Sequence, residues 1–428
     1  MSRYAKSKAM LERASRVIPL GSQTFSKSYL NYPRDAAPLF LERGRGSHVW
    51  DVDGNEYIDF VNGLLPVILG YCDPDVTAAV TQQMEHGVIF SLATPLEVEA
   101  AELLVQLIPC AEMVRFGKNG SDATTGAIRV ARAYTGRDLV AVCGYHGWHD
   151  WYIGSTARNK GIPPAVAGLT RQFKYNDLDS LRTLLHADRD RYAAVVMEPM
   201  NFVDPAPGFL EGVRELTHAH GALFVLDEII TGFRFHLGGA QALFDVTPDL
   251  AAFGKSMGNG FPISAVVGRE KYMREMEEVF FSSTFGGDAV GLAASVATIR
   301  KMQREPVIEH LWRVGALVSG NTRAGIAQHG LGGAVALGGK PPWSMLQFRD
   351  TPRATQWEVK SLYLQEMLKR GILTAGAHNM SYSHSEADVG QLAEAQEAAF
   401  ATIAAALDAG DVRARLAGPP IEPIFKVR

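Results

Sequence analysis

The apolar positions of this chain come in short runs separated by stretches of helical spacing. Runs at 113–116, 139–142, 171–175, 194–197, 223–226 and 264–267 are rich in β-branched residues or end at a turn signal, and each reads as a strand. Helical spacing occupies 75–85, 97–107, 123–134, 177–186 and 209–219. Strands alternating with helices imply a mostly parallel α/β sheet covered on both faces, with the run 264–267 expected to close it.

On either side the pattern changes. Apolar positions at Ala9, Met10, Leu11, Ala14, Val17 and Ile18 are spaced as a helix within residues 1–20, stopped by Pro19 and Gly21. Residues 22–38 are polar and aperiodic. Runs at 39–43 and 48–52, the turn Asp53-Gly54-Asn55 and a return run at 56–60 predict a small β-meander. Beyond residue 311 the pattern weakens: a glycine-rich stretch 330–340 ends in Pro341-Pro342, then come strands at 344–348 and 371–374 and helices at 357–369 and 387–407. The tail from Ala417 is expected to be extended. The expected organisation is an N-terminal segment, 1–73, packing with a small α+β domain, 311–428, and a large α/β domain, 74–310.

Composition narrows the function. The 428 residues carry a formal charge of −4, with 47% hydrophobic and 21% charged residues, an ordinary globular balance. No basic block suggests nucleic acid, and no apolar run reaches membrane-spanning length. The three cysteines, Cys72, Cys110 and Cys143, are scattered, which fits neither a disulfide framework nor a zinc site. With no signal-peptide core at the N-terminus, the expectation is a cytoplasmic protein.

Candidate chemistry gathers where the strands end. The run 194–197 stops at Glu198-Pro199, and 223–226 stops at Asp227-Glu228. Residues 248–253 lead into Gly254-Lys255-Ser256. Ligands of open α/β sheets collect outside the carboxyl ends of strands, so Asp227 and Lys255 are placed at one rim. Pyridoxal phosphate (PLP) needs such a pair, a lysine to form a Schiff base and an acid to keep the pyridine nitrogen protonated. The turn from Gly117 to Ala123 opens a helix, where free N–H groups hold phosphate; alternatively Ser121 or Asp122 simply caps it. Tyr145 follows a strand at the same rim and offers a face to a flat heterocycle, with His146 beside it. His146 and His149 form an HxxH, but no third ligand accompanies them and no metal is expected. Ile229 is placed to pack on the ring opposite Tyr145. Thr284 is read at the start of a helix continuing through Ala293, with Thr284 or Asp288 as cap, or as a second phosphate contact.

These residues together resemble the class III (fold type I) PLP-dependent aminotransferases. The stretch DEIITGFRFHLGGAQALFDVTPDLAAFGKSMGNGFP is similar to the lysine-bearing block of that family. IPLGSQTF, VWDVDGNEYIDF, NGSDATTGAIRVARAYTGR, GYHGWHDWY and SSTFGGD stand in the family's order around it. Within the family, the likeness is nearest to glutamate-1-semialdehyde 2,1-aminomutase and its aminotransferase relatives. The resemblance implies a large PLP domain with a smaller α+β domain and an internal aldimine on Lys255. It implies that Asp227 meets the ring nitrogen, that Asn119, Gly120 and Ser121 hold the phosphate, and that Tyr145 stacks on the ring. His146, Ile229 and Glu198 join the cofactor residues. Glu198 and Asn201 match pocket-lining positions. Thr284 matches a residue that reaches the neighbouring subunit's phosphate, which implies a homodimer with shared sites.

Two departures fall on the substrate side. Where the aminomutase has an arginine for the substrate carboxylate, this chain has Lys27, which keeps the charge but not the bidentate geometry. Where it has a glutamate, residues 374–384 hold no acid. Lys27, Asn201 and His378 become the candidate substrate contacts. The favoured function is therefore transfer of an amino group from a small-molecule donor to an aldehyde or ketone acceptor through a pyridoxamine phosphate form; the alternative is the intramolecular transfer of the aminomutase. A non-catalytic scaffold would be expected to have lost Lys255 or Asp227. A nicotinamide enzyme would need a G-x-G-x-x-G after a strand, and there is none.

Overall fold

The structure is a computed structural model and describes residues 3–422, so the tail expectation beyond 422 lies outside the described residues. The described residues divide into two compact units, one made of residues 3–73 with 309–422, the other of 74–308.

The first unit opens with the helix Ala5–Ala14, shorter than its apolar spacing predicts. Val17 is 80% exposed, so the last turn has nothing to pack against and the chain leaves the helix before Pro19. Residues 22–38 are not featureless, since short 3₁₀ turns form at Phe25–Lys27 and Tyr29–Asn31. The meander follows as β1 (Leu41–Arg45), β2 (His48–Asp51) and β3 (Glu56–Asp59), paired antiparallel. Its second turn is built on Asp51, fully buried. That carboxylate accepts the N–H groups of Asp53 (3.0 Å) and Asn55 (2.8 Å), the Asn55 amide (2.8 Å) and the Tyr57 hydroxyl (3.1 Å).

The second unit contains β4 (Met113–Gly117), β5 (Leu139–Cys143), β6 (Thr170–Gln172), β7 (Tyr192–Met197), β8 (Leu223–Asp227), β9 (Leu250–Phe253) and β10 (Ser264–Gly268). They form one sheet in the order β4-β10-β9-β8-β7-β5-β6. Neighbours from β9 to β6 run parallel. Strands β5, β7, β8 and β9 are buried along their whole length, as expected of a sheet covered on both faces. β10 does not close the sheet. It lies between β9 and β4, antiparallel to both. The segment joining β9 to β10 holds only a short 3₁₀ turn, too little for a crossover helix, so the chain returns antiparallel. The helix Gly120–Thr135 buries Ala123, Ala127, Ile128, Val130 and Ala131 in the same core as Val196, Val225 and Val266. The helix predicted to start at Thr284 starts at Ala289 instead. Asp288 is its cap, accepting from the N–H groups of Val290 (3.3 Å) and Gly291 (3.1 Å) and pairing with Lys118 at 2.6 Å.

The chain then returns to the first unit through the helix Val307–Gln328, which the weak periodicity did not predict. β11 (Val335–Lys340) and β12 (Trp343–Phe348) form a hairpin across Pro341-Pro342. The glycine-rich stretch, for which no element is predicted, is therefore largely a strand. Gly339 sits at φ +88° with Trp343 O only 2.5 Å from where a Cβ would lie, so glycine serves close strand approach here. β13 (Ile372–Leu373) pairs parallel with β3, and β14 (Ala377–Asn379) pairs with β12. The helices Gln356–Lys369 and Glu386–Ala409 complete the unit.

Candidate active site

Strand register assembles the site. Cys143 pairs with Met197 and Met197 with Leu226, so the next residues, Gly144, Glu198 and Asp227, stand abreast on three adjacent strand ends. Asp227 in turn pairs with Ala252, and β9 delivers Lys255 three residues further on. Lys255 opens a 3₁₀ turn with φ +40°, a left-handed conformation that a side chain adopts only when its surroundings hold it there.

Asp227, 4% exposed, accepts the Ile229 N–H on Oδ1 at 3.1 Å, and its Oδ2 lies 2.8 Å from Nδ1 of His146. His146 is 1% exposed, stacked on Trp151 and edge-on to Tyr152. Its backbone carbonyl accepts the Thr124 hydroxyl at 2.9 Å. The ring therefore has one fixed orientation, with its Nδ1 turned to the aspartate. His149, the other half of the HxxH, is bonded elsewhere, with Nδ1 2.7 Å from the Thr125 hydroxyl.

At the opposite end of this group the helix Gly120–Thr135 begins. Its first turn is a capping box: Asp122 reaches back to the N–H groups of Lys118 (2.9 Å) and Asn119 (2.7 Å), and the Asn119 side chain turns towards the Asp122 N–H. The N–H groups of Gly120 and Ser121 precede the first intrahelical bond and add to the positive end of the helix dipole. Ser121 Oγ accepts the Trp148 N–H at 3.1 Å and keeps its own hydrogen to donate. Ile229 ties the two ends together. Its Cδ1 lies 3.0 Å from a Cβ position on Gly120 and 3.1 Å from one on Gly254, the residue before Lys255. Tyr145, 47% exposed, meets Tyr152 edge-on at 5.6 Å.

The electrostatics are tense. Burial lowers the Lys255 ammonium from the usual lysine range, while the charges of Asp227 and Glu198 pull the other way and that of Arg234 adds to the lowering. Glu198 is pushed up to about 7, chiefly by burial and then by Asp227. Arg234 is not among the residues the sequence singles out, whereas Glu228 is legible as the second acid at the end of β8. Arg234, fully buried, donates to Ser256 Oγ at 3.4 Å, and burial lowers its guanidinium to about 9. Glu228, also fully buried, accepts the N–H groups of Ala240 and Gln241, each at 2.8 Å, and so organises the turn after β8. A charge bracketed by Phe233 and Phe235 was the available signal for Arg234.

The other candidates have surroundings of their own. Asn201 is partly buried just beyond β7, its Oδ1 accepting the Phe202 N–H at 2.6 Å. Thr284 is exposed in the turn before Asp288. Lys27 lines a cavity of about 600 Å³ within the first unit, with Tyr32, Asp59 and Tyr71 among the other walls. His378 needs correcting as a substrate contact. It is fully buried in the first unit, with Nδ1 3.0 Å from Ser344 Oγ and Nε2 3.0 Å from the Gln396 amide, so neither nitrogen is left to offer.

An anion-holding helix terminus, a buried carboxylate backed by histidine, an aromatic ring and a lysine amine are the complement of a phosphorylated pyridine aldehyde, so the residues present fit PLP. Comparison with known proteins agrees. Residues 29–330 match the family described as Aminotransferase class-III. A 3-aminobutyryl-CoA aminotransferase of Cloacimonas acidaminovorans is 36% identical over 94% of this chain and 98% of its own length. A glutamate-1-semialdehyde 2,1-aminomutase of Chloroflexus aurantiacus is 40% identical over 70% of this chain and 71% of its own. Among solved structures, the PLP internal aldimine form of the FumI protein of Sphingopyxis sp. MTA144 superposes with a TM-score of 0.88 at 30% identity, covering 97% of this chain and 98% of that one.

Proposed function

We infer that this chain, which belongs to the class-III aminotransferase family and is a PLP-dependent aminotransferase, moves an amino group from an amine donor to an aldehyde or ketone acceptor with Lys255 as its catalytic residue. The observation that carries the residue assignment is the alignment of strand ends that puts Asp227, held by His146 at 2.8 Å, in one group with Lys255.

Bound PLP supplies an aldehyde for the lysine and a ring that takes up electron density from the substrate carbon. Asp227 holds a proton at the ring nitrogen, and His146 keeps its carboxylate from turning away. The N–H groups of Gly120 and Ser121, with the Ser121 hydroxyl and the Asn119 side chain, hold the phosphate. Tyr145 and Ile229 would pack against the ring and limit water. Lys255 would hold the PLP aldehyde, and its amine would carry the proton taken from the substrate carbon, for which an amine of lowered proton affinity is suited. Lys27 and Asn201 are the substrate contacts we retain.

A homodimer in which Thr284 serves the partner's phosphate is part of the same proposal. Its support is the exposed apolar surface of the second unit, where Leu92 is 84% and Phe280 80% exposed. The cytoplasm is the proposed compartment, consistent with free, buried Cys110 and Cys143.

The test is a donor screen on the PLP-loaded enzyme followed by visible absorbance, then an acceptor screen on the aminated form. The Lys255→Ala variant should retain the fold and lose turnover by several orders of magnitude. Normal turnover in that variant, or a purified enzyme that takes up no PLP, refutes the assignment. Release of a free carbonyl product from a simple donor favours intermolecular transfer over the aminomutase reaction.

A further inference from the structure

The turn proposed to hold the phosphate is entered through Lys118, whose side chain is engaged elsewhere. Lys118 precedes Asn119, the cap of the helix Gly120–Thr135, and its backbone N–H is committed to Asp122 at 2.9 Å. Its mostly buried ammonium lies 2.6 Å from Asp288 Oδ2 and donates to the Pro262 carbonyl at 3.0 Å. Gly291 keeps the space for it. A Cβ there would lie 3.1 Å from Lys118 Nζ, 2.8 Å from Asp288 Oδ2 and 3.2 Å from the Pro262 oxygen. One ammonium thus joins three segments far apart in the chain: the turn after β4, the stretch that runs from Lys255 into β10, and the start of the helix Ala289–Arg304.

Both anchors are themselves fixed. Asp288 also accepts the N–H groups of Val290 and Gly291, and Pro262 stands two residues before Ser264, which strand register sets against Gly117. A contact made by the residue just outside a helix cap fixes the angle at which the chain enters the helix, and an apolar pair usually supplies it. Here an ion pair takes that place. Phosphate capture depends on the entry angle, because the N–H groups of Gly120 and Ser121 must converge on one anion.

We propose that Lys118 is a positioning residue for the phosphate of PLP: held by Asp288 and Pro262, it fixes the entry of the chain into the helix and so aims the Gly120 and Ser121 N–H groups. Its charge is taken up by Asp288, so it acts through geometry rather than by attracting the anion. This rests on the reading that the Gly120-Ser121 turn holds the phosphate.

The test compares the affinity of the full-length enzyme, stripped of cofactor, for PLP and for pyridoxal, which has the same ring and aldehyde but no phosphate, both read by absorbance. A general loss of structure weakens both, whereas a misaimed turn weakens PLP alone. Lys118→Met should lower the preference for PLP over pyridoxal at least about tenfold, the size of one lost hydrogen bond. Asp288→Asn can still cap its helix but loses the charge, and Gly291→Ala keeps both charges but displaces the ammonium. Each should lower the preference too, and either stands in if the methionine variant does not fold. A preference that stays within about twofold of the parent in the folded variants overturns the proposal. A PLP affinity that rises in Asp288→Asn also overturns it, since the freed ammonium would then be drawing the phosphate by charge. Ser121→Ala separates the proposal from the reading beneath it. If that variant also leaves the preference unchanged, the phosphate is not held at this turn; if it lowers the preference while the Lys118, Asp288 and Gly291 variants do not, only the role of Lys118 fails.

Discussion

Gly147→Ala isolates the contact that fixes Ser121, the residue proposed to hold the phosphate. Gly147 has φ +101°, and a Cβ there would lie 2.3 Å from Ser121 Oγ, 2.9 Å from its Cβ and 3.0 Å from its Cα. Alanine in that backbone region costs about 1–2 kcal/mol by itself. The overlap is with backbone as well as side chain, so the first turn of the helix must retreat. The 3.1 Å bond from the Trp148 N–H to Ser121 Oγ then breaks, adding about 1 kcal/mol. Gly161 provides the control, since its φ is +91° and nothing lies within 4 Å of a Cβ there. Gly161→Ala should therefore show the backbone cost alone. Urea unfolding of the PLP-free variants should place Gly147→Ala about 1–2 kcal/mol below Gly161→Ala. Absorbance titration with PLP should show affinity weakened at least about tenfold in Gly147→Ala, equivalent to about 1.4 kcal/mol, and unchanged in Gly161→Ala. If the two variants match in both measurements, Ser121 is not where the anion is held.

Two further outcomes test the first unit. His378 is buried neutral, its proton affinity lowered to about 4, so the unfolded chain binds a proton there below pH about 6.5 that the folded chain does not. Its effect on stability is nil above that pH and grows to a loss on the order of 3 kcal/mol as pH falls towards 4. His378→Gln should flatten that acid limb in urea midpoints measured from pH 7 to 4.5, and an unchanged limb counts against it. Asp51→Ala should cost about 2–4 kcal/mol, because the N–H groups of Asp53 and Asn55 lose their acceptor. Asp51→Asn should cost less; a loss under 0.5 kcal/mol for the alanine variant would contradict the role given to this carboxylate.

Much of the active-site architecture is legible in the chain because it is local. Apolar runs that stop at an acid mark strand ends, and a parallel sheet puts those ends on one rim whatever the strand order. Asp227 and Glu198 can be picked out this way, and the Gly120-Ser121 turn as the glycine and hydroxyl that open a helix after a strand. What misled were the glycines. Gly315 and Gly325 weaken the pattern of 307–328, yet both lie inside one helix. A Cβ on Gly315 would lie 2.0 Å from the Pro341 carbonyl oxygen and one on Gly325 2.9 Å from the Phe400 ring, so these residues permit close packing rather than break the helix. His378 misled for the complementary reason: a polar side chain in a plausible segment looks available until its partners, Ser344 and Gln396, are seen.

The sequence by itself determined the element types of the central sheet, the acids at its strand ends and the lysine after β9, since each follows from periodicity and turn chemistry within a few residues. Only the tertiary structure decided which of those groups meet. The strand order put β10 between β9 and β4, the pairing of β5 with β7 brought His146 to Asp227, and burial set the charges of Glu198, Lys255 and Arg234 against one another. Register and burial are properties of segments distant along the chain, and charge states follow from them; no local pattern carries that information.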